Sequence, residues 1–189
     1  MPKLSPTLPL ESFSKHWPGL TIEEHYIGEL ISLAIAREEE SAFKTAFKKT
    51  FGKAPPEPSQ LMAVKGGYAI WSSLEQYLIL LEGENINADK DIAKKMGPSA
   101  YTTLQSDGWA SIDIKAKTSK STALYDVLER FIPLNLRQAP EGFTSRTSAH
   151  HIAVIVIKYS ETEIQLLTPR SSAGSFLESL IHTAENVLS

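Results

Sequence analysis

An internal repeat limits what this chain can fold into more than any other feature of its sequence. Ile31 and Ile112, Leu33 and Ile114, Ala42 and Ala123, Phe43 and Leu124, Ala46 and Val127, and Phe47 and Leu128 are each 81 residues apart. In both copies an alternating apolar stretch comes first, from Glu29 and around Ile112 to Ile114. Alternation of period two turns one side of a strand to a core. Apolar residues at helical spacing follow, Ala42, Phe43, Ala46, Phe47 and Phe51 in one copy and Ala123, Leu124, Val127, Leu128 and Phe131 in the other. Gly52 with the run APPEP ends the first helix, and Pro133 stops the second. Slightly larger offsets then relate Tyr68–Trp71 and Tyr77–Leu81 to His151–Lys158 and Glu163–Thr168, each pair joined by a short polar turn as a hairpin requires. A helical stretch closes each copy, Ala88–Met96 and Ser172–Leu188.

The spacing predicts two copies of strand–helix–strand–strand–helix, an α+β fold with antiparallel hairpins and helices on one side of each sheet. The division expected is an irregular, proline-rich arm over 1–20, a first repeat over 21–100 and a second over 101–189. Ile152 to Ile157 is apolar at every position, which suits an internal strand covered on both faces. At 189 residues the chain is long enough to bury a core without disulfides or metal.

Composition narrows the chemistry. The formal net charge is −3, and Lys48-Lys49 and Lys94-Lys95 are isolated pairs. Nucleic acid needs a concentrated positive face, so it is not an expected partner. The absence of cysteine removes thiolate zinc sites and cysteine nucleophiles and fits a reducing compartment. Prolines 2, 6 and 9 break up the start, and no apolar run approaches a membrane span. The expected location is the cytoplasm, with no membrane contact.

A search for catalytic groups finds none that assembles. Gly66-Gly67 lacks the spacing of a phosphate-binding loop. His16, His25, His150, His151 and His182 show no metal-ligand spacing, and the neighbours His150 and His151 are expected on opposite faces of a strand. Ser41-Ala-Phe-Lys44 fits S-x-x-K without its companion motifs, and Ser41 is better placed as a helix cap. Glu23-Glu24 and Glu38–Glu40 read as solvated groups. A pterin ring would need a buried carboxylate; Asp107 and Asp113, which flank a strand of the second copy, are the candidates there, and neither is assigned to that role. Trp71 and Trp109 are assigned to the core. Trp17, Arg137, Arg146 and Arg170 are the candidates for a partner interface, since arginine and tryptophan anchor such contacts. An intrachain ion pair competes with that role for each arginine. No catalytic, cofactor-binding or metal-ligating residue is assigned.

Several stretches carry a family resemblance: WSSLEQYLIL (71–80), TTLQSDGWASIDI (102–114), LYDVLERFIPLNL (124–136), FTSRTSAHHIAVIV (143–156) and LLTPRSSAGSFLESL (166–180). In this order they resemble the gamma subunit of heterotetrameric sarcosine oxidase over about residues 29–188. Pro133-Leu134-Asn135-Leu136 has Asn where that family often has Asp. The resemblance implies alpha, beta and delta partner subunits, of which the larger alpha and beta chains hold FAD, FMN, NAD and the tetrahydrofolate site. The complex converts sarcosine to glycine in one-carbon metabolism and sarcosine catabolism. It implies a fold similar to the folate-binding domains of aminomethyltransferase (T protein), and a gamma chain that holds none of the redox cofactors. Two alternatives remain open. One is a subunit of a related N-methylglutamate dehydrogenase; the other is an independent folate-binding, aminomethyltransferase-like protein.

Overall fold

The computed structural model describes residues 7–119 and 121–189. The fold is mixed α and β, with two antiparallel sheets and four α-helices. In chain order these are β1 (Ser14–Trp17), β2 (Leu20–His25), β3 (Glu29–Ile35), α1 (Glu40–Phe51), β4 (Leu61–Val64), β5 (Gly67–Ser73), β6 (Gln76–Leu81), α2 (Ala88–Met96), β7 (Ala100–Leu104), β8 (Trp109–Ala116), α3 (Ala123–Phe131), β9 (Thr144–Ala149), β10 (Ile152–Ser160), β11 (Glu163–Pro169) and α4 (Ala173–Leu188). One sheet has the order β1-β2-β8-β11-β10-β9, the other β4-β5-β6-β3-β7.

The repeat is real down to its irregularities. Written from the opposite edge, the larger sheet begins β9-β10-β11-β8, the counterpart of β4-β5-β6-β3. Both hairpins carry the same register shift, between Trp71 and Ser73 in β5 and between Lys158 and Ser160 in β10. An extra residue at one fixed place in both copies is a retained structural feature, since a bulge sets strand bend and twist.

Each sheet takes its next strand from outside the matching repeat. Strand β2 precedes the first copy in sequence but pairs with β8 of the second, and β7 precedes the second copy but pairs with β3 of the first. The compact units therefore interleave. The first comprises the chain up to Tyr26 with Asp107–Glu141 and Arg146–Ser189; the second comprises Ile27–Ser106 with Gly142–Ser145. The expected spans 21–100 and 101–189 follow the repeat in sequence and cut across these units. Part of the arm expected over 1–20 is also ordered as strand. Ser14–Trp17 pairs with Leu20–His25 as a hairpin, with Gly19 at φ 86° in the turn. The part before Thr7 lies outside the described residues.

In the second unit the core lies between the sheet and α1 and α2. Ile31 and Leu33 of β3, Ala69, Tyr77 and Ile79 meet Phe43, Phe47 and Phe51, which stand four residues apart on α1. The rings form a run, with centroids 5.8 Å apart for Phe43 and Phe47 and 4.6 Å for Phe47 and Phe51. Helix α1 opens at Glu40 with Glu39 as its cap and no side-chain cap bond, so Ser41 does not cap it; Gly52 ends it in the left-handed conformation. In the first unit the buried positions include Leu124, Val127, Leu128 and Phe131 of α3 and Phe176, Leu177, Leu180 and Ala184 of α4, in agreement with their spacing. His150 and His151 are not in a strand. Both have positive φ, 48° and 66°, and form the turn between β9 and β10.

One buried charge organises the first unit's helical side. Lys158 on β10 is completely buried and donates to the carbonyls of Leu136 (3.1 Å) and Ala139 (2.7 Å), where the chain leaves α3. Its Nζ also lies 2.7 Å from Glu161 and 5.2 Å from the Tyr125 ring centroid. Burial disfavours the ammonium, but Glu161 and Tyr125 outweigh it and raise the Lys158 pKa; Lys158 and then Tyr125 lower that of Glu161. The pair thus stabilises the fold above the ordinary glutamate range. It loses that contribution as pH falls through the depressed Glu161 value or rises through the elevated Lys158 value. Lys158→Met leaves both carbonyls without their donor. It is expected to cost about 3 kcal/mol, which lowers the melting temperature by roughly 10 °C for a chain of this size. A calorimetric change under about 1 °C would show that those carbonyls do not depend on Lys158.

Candidate functional site

The four residues expected at an interface all fall in the first unit, each with its own intrachain neighbour. Trp17 ends β1, half-buried, with Lys15 Nζ 5.0 Å from its ring centroid. Arg137 follows α3 and donates to Glu129 (2.7 Å) and Asp126 (3.0 Å), with its guanidinium over the Tyr125 ring at 5.2 Å. Arg146 on β9 lies 5.8 Å from the Trp109 ring centroid. Arg170 donates to the Thr7 carbonyl at 2.9 Å. The geometry does not gather them into one site.

The polar residues that do converge stand on the sheet face opposite Ile112 and Ile114. Side chains alternate along a strand, so Ser111, Asp113 and Lys115 of β8 share that face. Register then sets their neighbours. Asp113 lies between Glu23 of β2 and Gln165 of β11, and Lys115 lies between Thr21 and Glu163. Asp113 is 4% exposed. It accepts from Gln165 Nε2 (3.1 Å), lies 3.1 Å from Lys115 Nζ and 3.6 Å from His25 Nδ1. Lys115 also reaches Glu23 (2.9 Å) and Glu163 (3.6 Å), and Tyr159 donates to Gln165 (3.0 Å). Beside this cluster a cleft of about 510 Å³ is lined by His16, Trp17, Thr21, Glu23, Lys115 and Lys117 among others.

The cluster has no counterpart in the second unit. There the register places Ser32 at the position of Asp113 and Ala34 at that of Lys115, and Gln76 donates to Ser32 at 2.7 Å. Charge at these positions is thus confined to one copy of a repeated scaffold.

Its chemistry is that of a closed ion network. Lys115 is held protonated, its pKa raised mainly by the hydrogen bond to Glu23 and further by Asp113, against the opposing effect of burial. An amine in that state is neither a base nor a nucleophile. Ser111, His25 and Asp113 have the composition of an acyl-transfer triad but not its geometry. Ser111 Oγ is buried and makes no hydrogen bond, whereas a triad serine must bond its histidine and face substrate. No group of three or more metal-ligating side chains is placed around one point among the described residues.

Part of this was visible in the sequence. Asp113 was singled out and Asp107, the other carboxylate considered, is exposed. The alternation Ile112-Asp113-Ile114-Lys115 carries the signal of a strand with one apolar and one charged face. Glu23 and Glu24, read as solvated, are both engaged: Glu23 by Lys115, and Glu24 by the backbone N–H groups of Leu10 (2.9 Å) and Ser12 (2.8 Å). Trp71 packs against the second unit's core, while Trp109 is half-buried.

The sequence matches no protein-family model and no curated protein. Solved structures share its fold. A chain of the heterotetrameric sarcosine oxidase from Corynebacterium sp. U-96 superposes with a TM-score of 0.74 at 17% identity, over 90% of this chain and 86% of that one. The glycine cleavage system aminomethyltransferase T from Bartonella henselae superposes with a TM-score of 0.63 at 10% identity, over 84% of this chain. The match covers 44% of the aminomethyltransferase, so this chain corresponds to less than half of that enzyme.

Reductive methylation read by mass spectrometry tests the state of Lys115. At pH 9 it is expected to react at least about tenfold more slowly than exposed lysines such as Lys44, because the hydrogen bond to Glu23 and the charge of Asp113 hold its amine protonated. Glu23→Gln is expected to accelerate it. Labelling of Lys115 at the rate of Lys44 would contradict the network.

Proposed function

We propose that this chain is the gamma-type subunit of a heterotetrameric sarcosine oxidase and acts in assembly and stability, not in chemistry. The correspondence with one chain of such an oxidase, 90% of this chain on 86% of that one, is the observation that carries the reading. A domain embedded in a longer enzyme would instead cover a fraction of its match, as with the aminomethyltransferase. The state of the polar cluster supports the same reading, since its lysine and carboxylates are spent on one another.

In this proposal the partners are the alpha, beta and delta subunits. FAD, FMN, NAD and tetrahydrofolate belong to those chains, and oxidative demethylation of sarcosine to glycine takes place there. The interface includes exposed parts of Trp17, Arg137, Arg146 and Arg170, and the complex works in the cytoplasm. A subunit that binds only the assembled form stabilises it by mass action. A related N-methylglutamate dehydrogenase would use the same docking with a different amine.

Co-expression with the three larger-complex subunits tests this. One particle containing all four chains is expected, with flavin absorbance and sarcosine-dependent oxygen uptake. Omitting this chain is expected to lower the yield of assembled particle at least about tenfold, equivalent to about 1.4 kcal/mol of stabilisation. An oxidase assembled and active to the same extent without it would refute the role.

A further inference from the structure

The two units close one sheet edge differently. In the first unit β2 is not the last strand, because β1 pairs along its outer side. The counterpart of β2 in the second unit is β7. Ile22 opposes Ile114, and Thr102 opposes Leu33, the repeat equivalent of Ile114, so positions in β2 and β7 correspond 80 residues apart. Among the described residues no strand lies outside β7.

The two edges are in the same hydrogen-bonding phase. In β2, Leu20, Ile22 and Glu24 turn their backbone groups toward β1, and Glu24 N–H donates to the Phe13 carbonyl at 2.7 Å. In β7, Gln105 N–H donates to Leu30 and the Ser99 carbonyl accepts from Ala36, both toward β3. An antiparallel ladder alternates, so Ala100, Thr102 and Leu104 turn theirs outward. These are the equivalents of Leu20, Ile22 and Glu24.

The other edges are guarded. Outermost β1 carries Lys15 and is followed by Pro18, and β9 carries Arg146. The edge of β4 is covered at its start, where Leu61 N–H donates to Gly142 (2.7 Å) and Thr144 N–H to Ser59 (2.9 Å). Strand β7, Ala-Tyr-Thr-Thr-Leu, has neither charge nor proline, and Tyr101 is 69% exposed. Natural sheets blunt free edges with such residues because a bare edge accepts another strand.

We propose that the outer edge of β7 is a docking edge that takes an extended segment of a partner chain in antiparallel pairing, as β2 takes β1. The uncharged Tyr101 and Thr103 beside it call for β-branched or aromatic residues opposite them. The inference rests on the assembly role proposed above and adds a surface to the interface residues named there.

Amide hydrogen exchange on the full chain, alone and in the complex recovered from its native cell, tests the edge. In the free chain the amides of Ala100, Thr102 and Leu104 are expected to exchange rapidly; in the complex they are expected to slow at least about 100-fold. Thr102→Pro removes an outward N–H without touching the ladder to β3, and it also removes the bond from Thr102 Oγ1 to the Asp89 carbonyl. It is expected to recover less than about a tenth of the partner. Thr103→Lys is expected to weaken recovery about tenfold and carries the test if the proline variant does not fold. An intact complex whose β7 amides exchange as in the free chain would remove the docking edge and leave the assembly role standing. Protection that grows with concentration in the free chain, together with doubled mass, would make a second copy the occupant and overturn the proposal. Failure to recover any larger chain would overturn both.

Discussion

Pairing on both sides of β3 and β8 is the constraint from which the rest follows. Ile31, Leu33, Ile112 and Ile114 are completely buried, and Ser32 and Asp113 on the opposite faces nearly so. A strand covered on both faces cannot stand at a sheet edge without leaving backbone groups unpaired in a place that water does not reach. Each copy supplies one neighbour, β6 or β11, from its own hairpin. The other, β7 or β2, is the segment that enters the next copy. Neither repeat can complete its sheet from its own residues, which is why the repeat in sequence and the unit in space have different boundaries.

What could be read from the sequence divides along the same line. Helices α1 to α4 and strands β3, β5, β6, β8, β10 and β11 follow local periodicity and were legible. Strands β1, β2, β4, β7 and β9 were not. Leu20–His25 carries two glutamates, Thr144–Ala149 is polar up to its last residue and Leu61–Val64 is four residues long. Their strand character comes from partners distant in the chain, and no local pattern encodes that register. The site divides likewise. Asp113 and Lys115 stand two apart within β8 and could be found there. Glu23 joins them only through the pairing of β2 with β8, and His150-His151 turned out to be a turn because both adopt positive φ.

Function follows from how the repeat has been modified. The shared scaffold provides two equivalent sheet faces and two equivalent edges. One copy carries Asp113, Glu23 and Glu163 around a single cation, Lys115, whose ammonium is shared among the three carboxylates. The same copy has its edge closed by β1, while the other keeps β7 open. Among the described residues β7 is the edge strand with neither charge nor proline, and the proposed assembly role rests on it. One chain of a heterotetrameric oxidase shares the fold over 86% of its length.

The direct measurement is turnover by the assembled complex carrying Asp113→Asn, Lys115→Met and Glu23→Gln together in this chain. If the chain contributes docking and no chemistry, kcat for the N-methyl amino acid stays within about twofold of the unmodified complex at equal assembled concentration, a difference of about 0.4 kcal/mol. A fall in kcat of a hundredfold or more in an intact particle would place a reacting group in this chain and contradict the account.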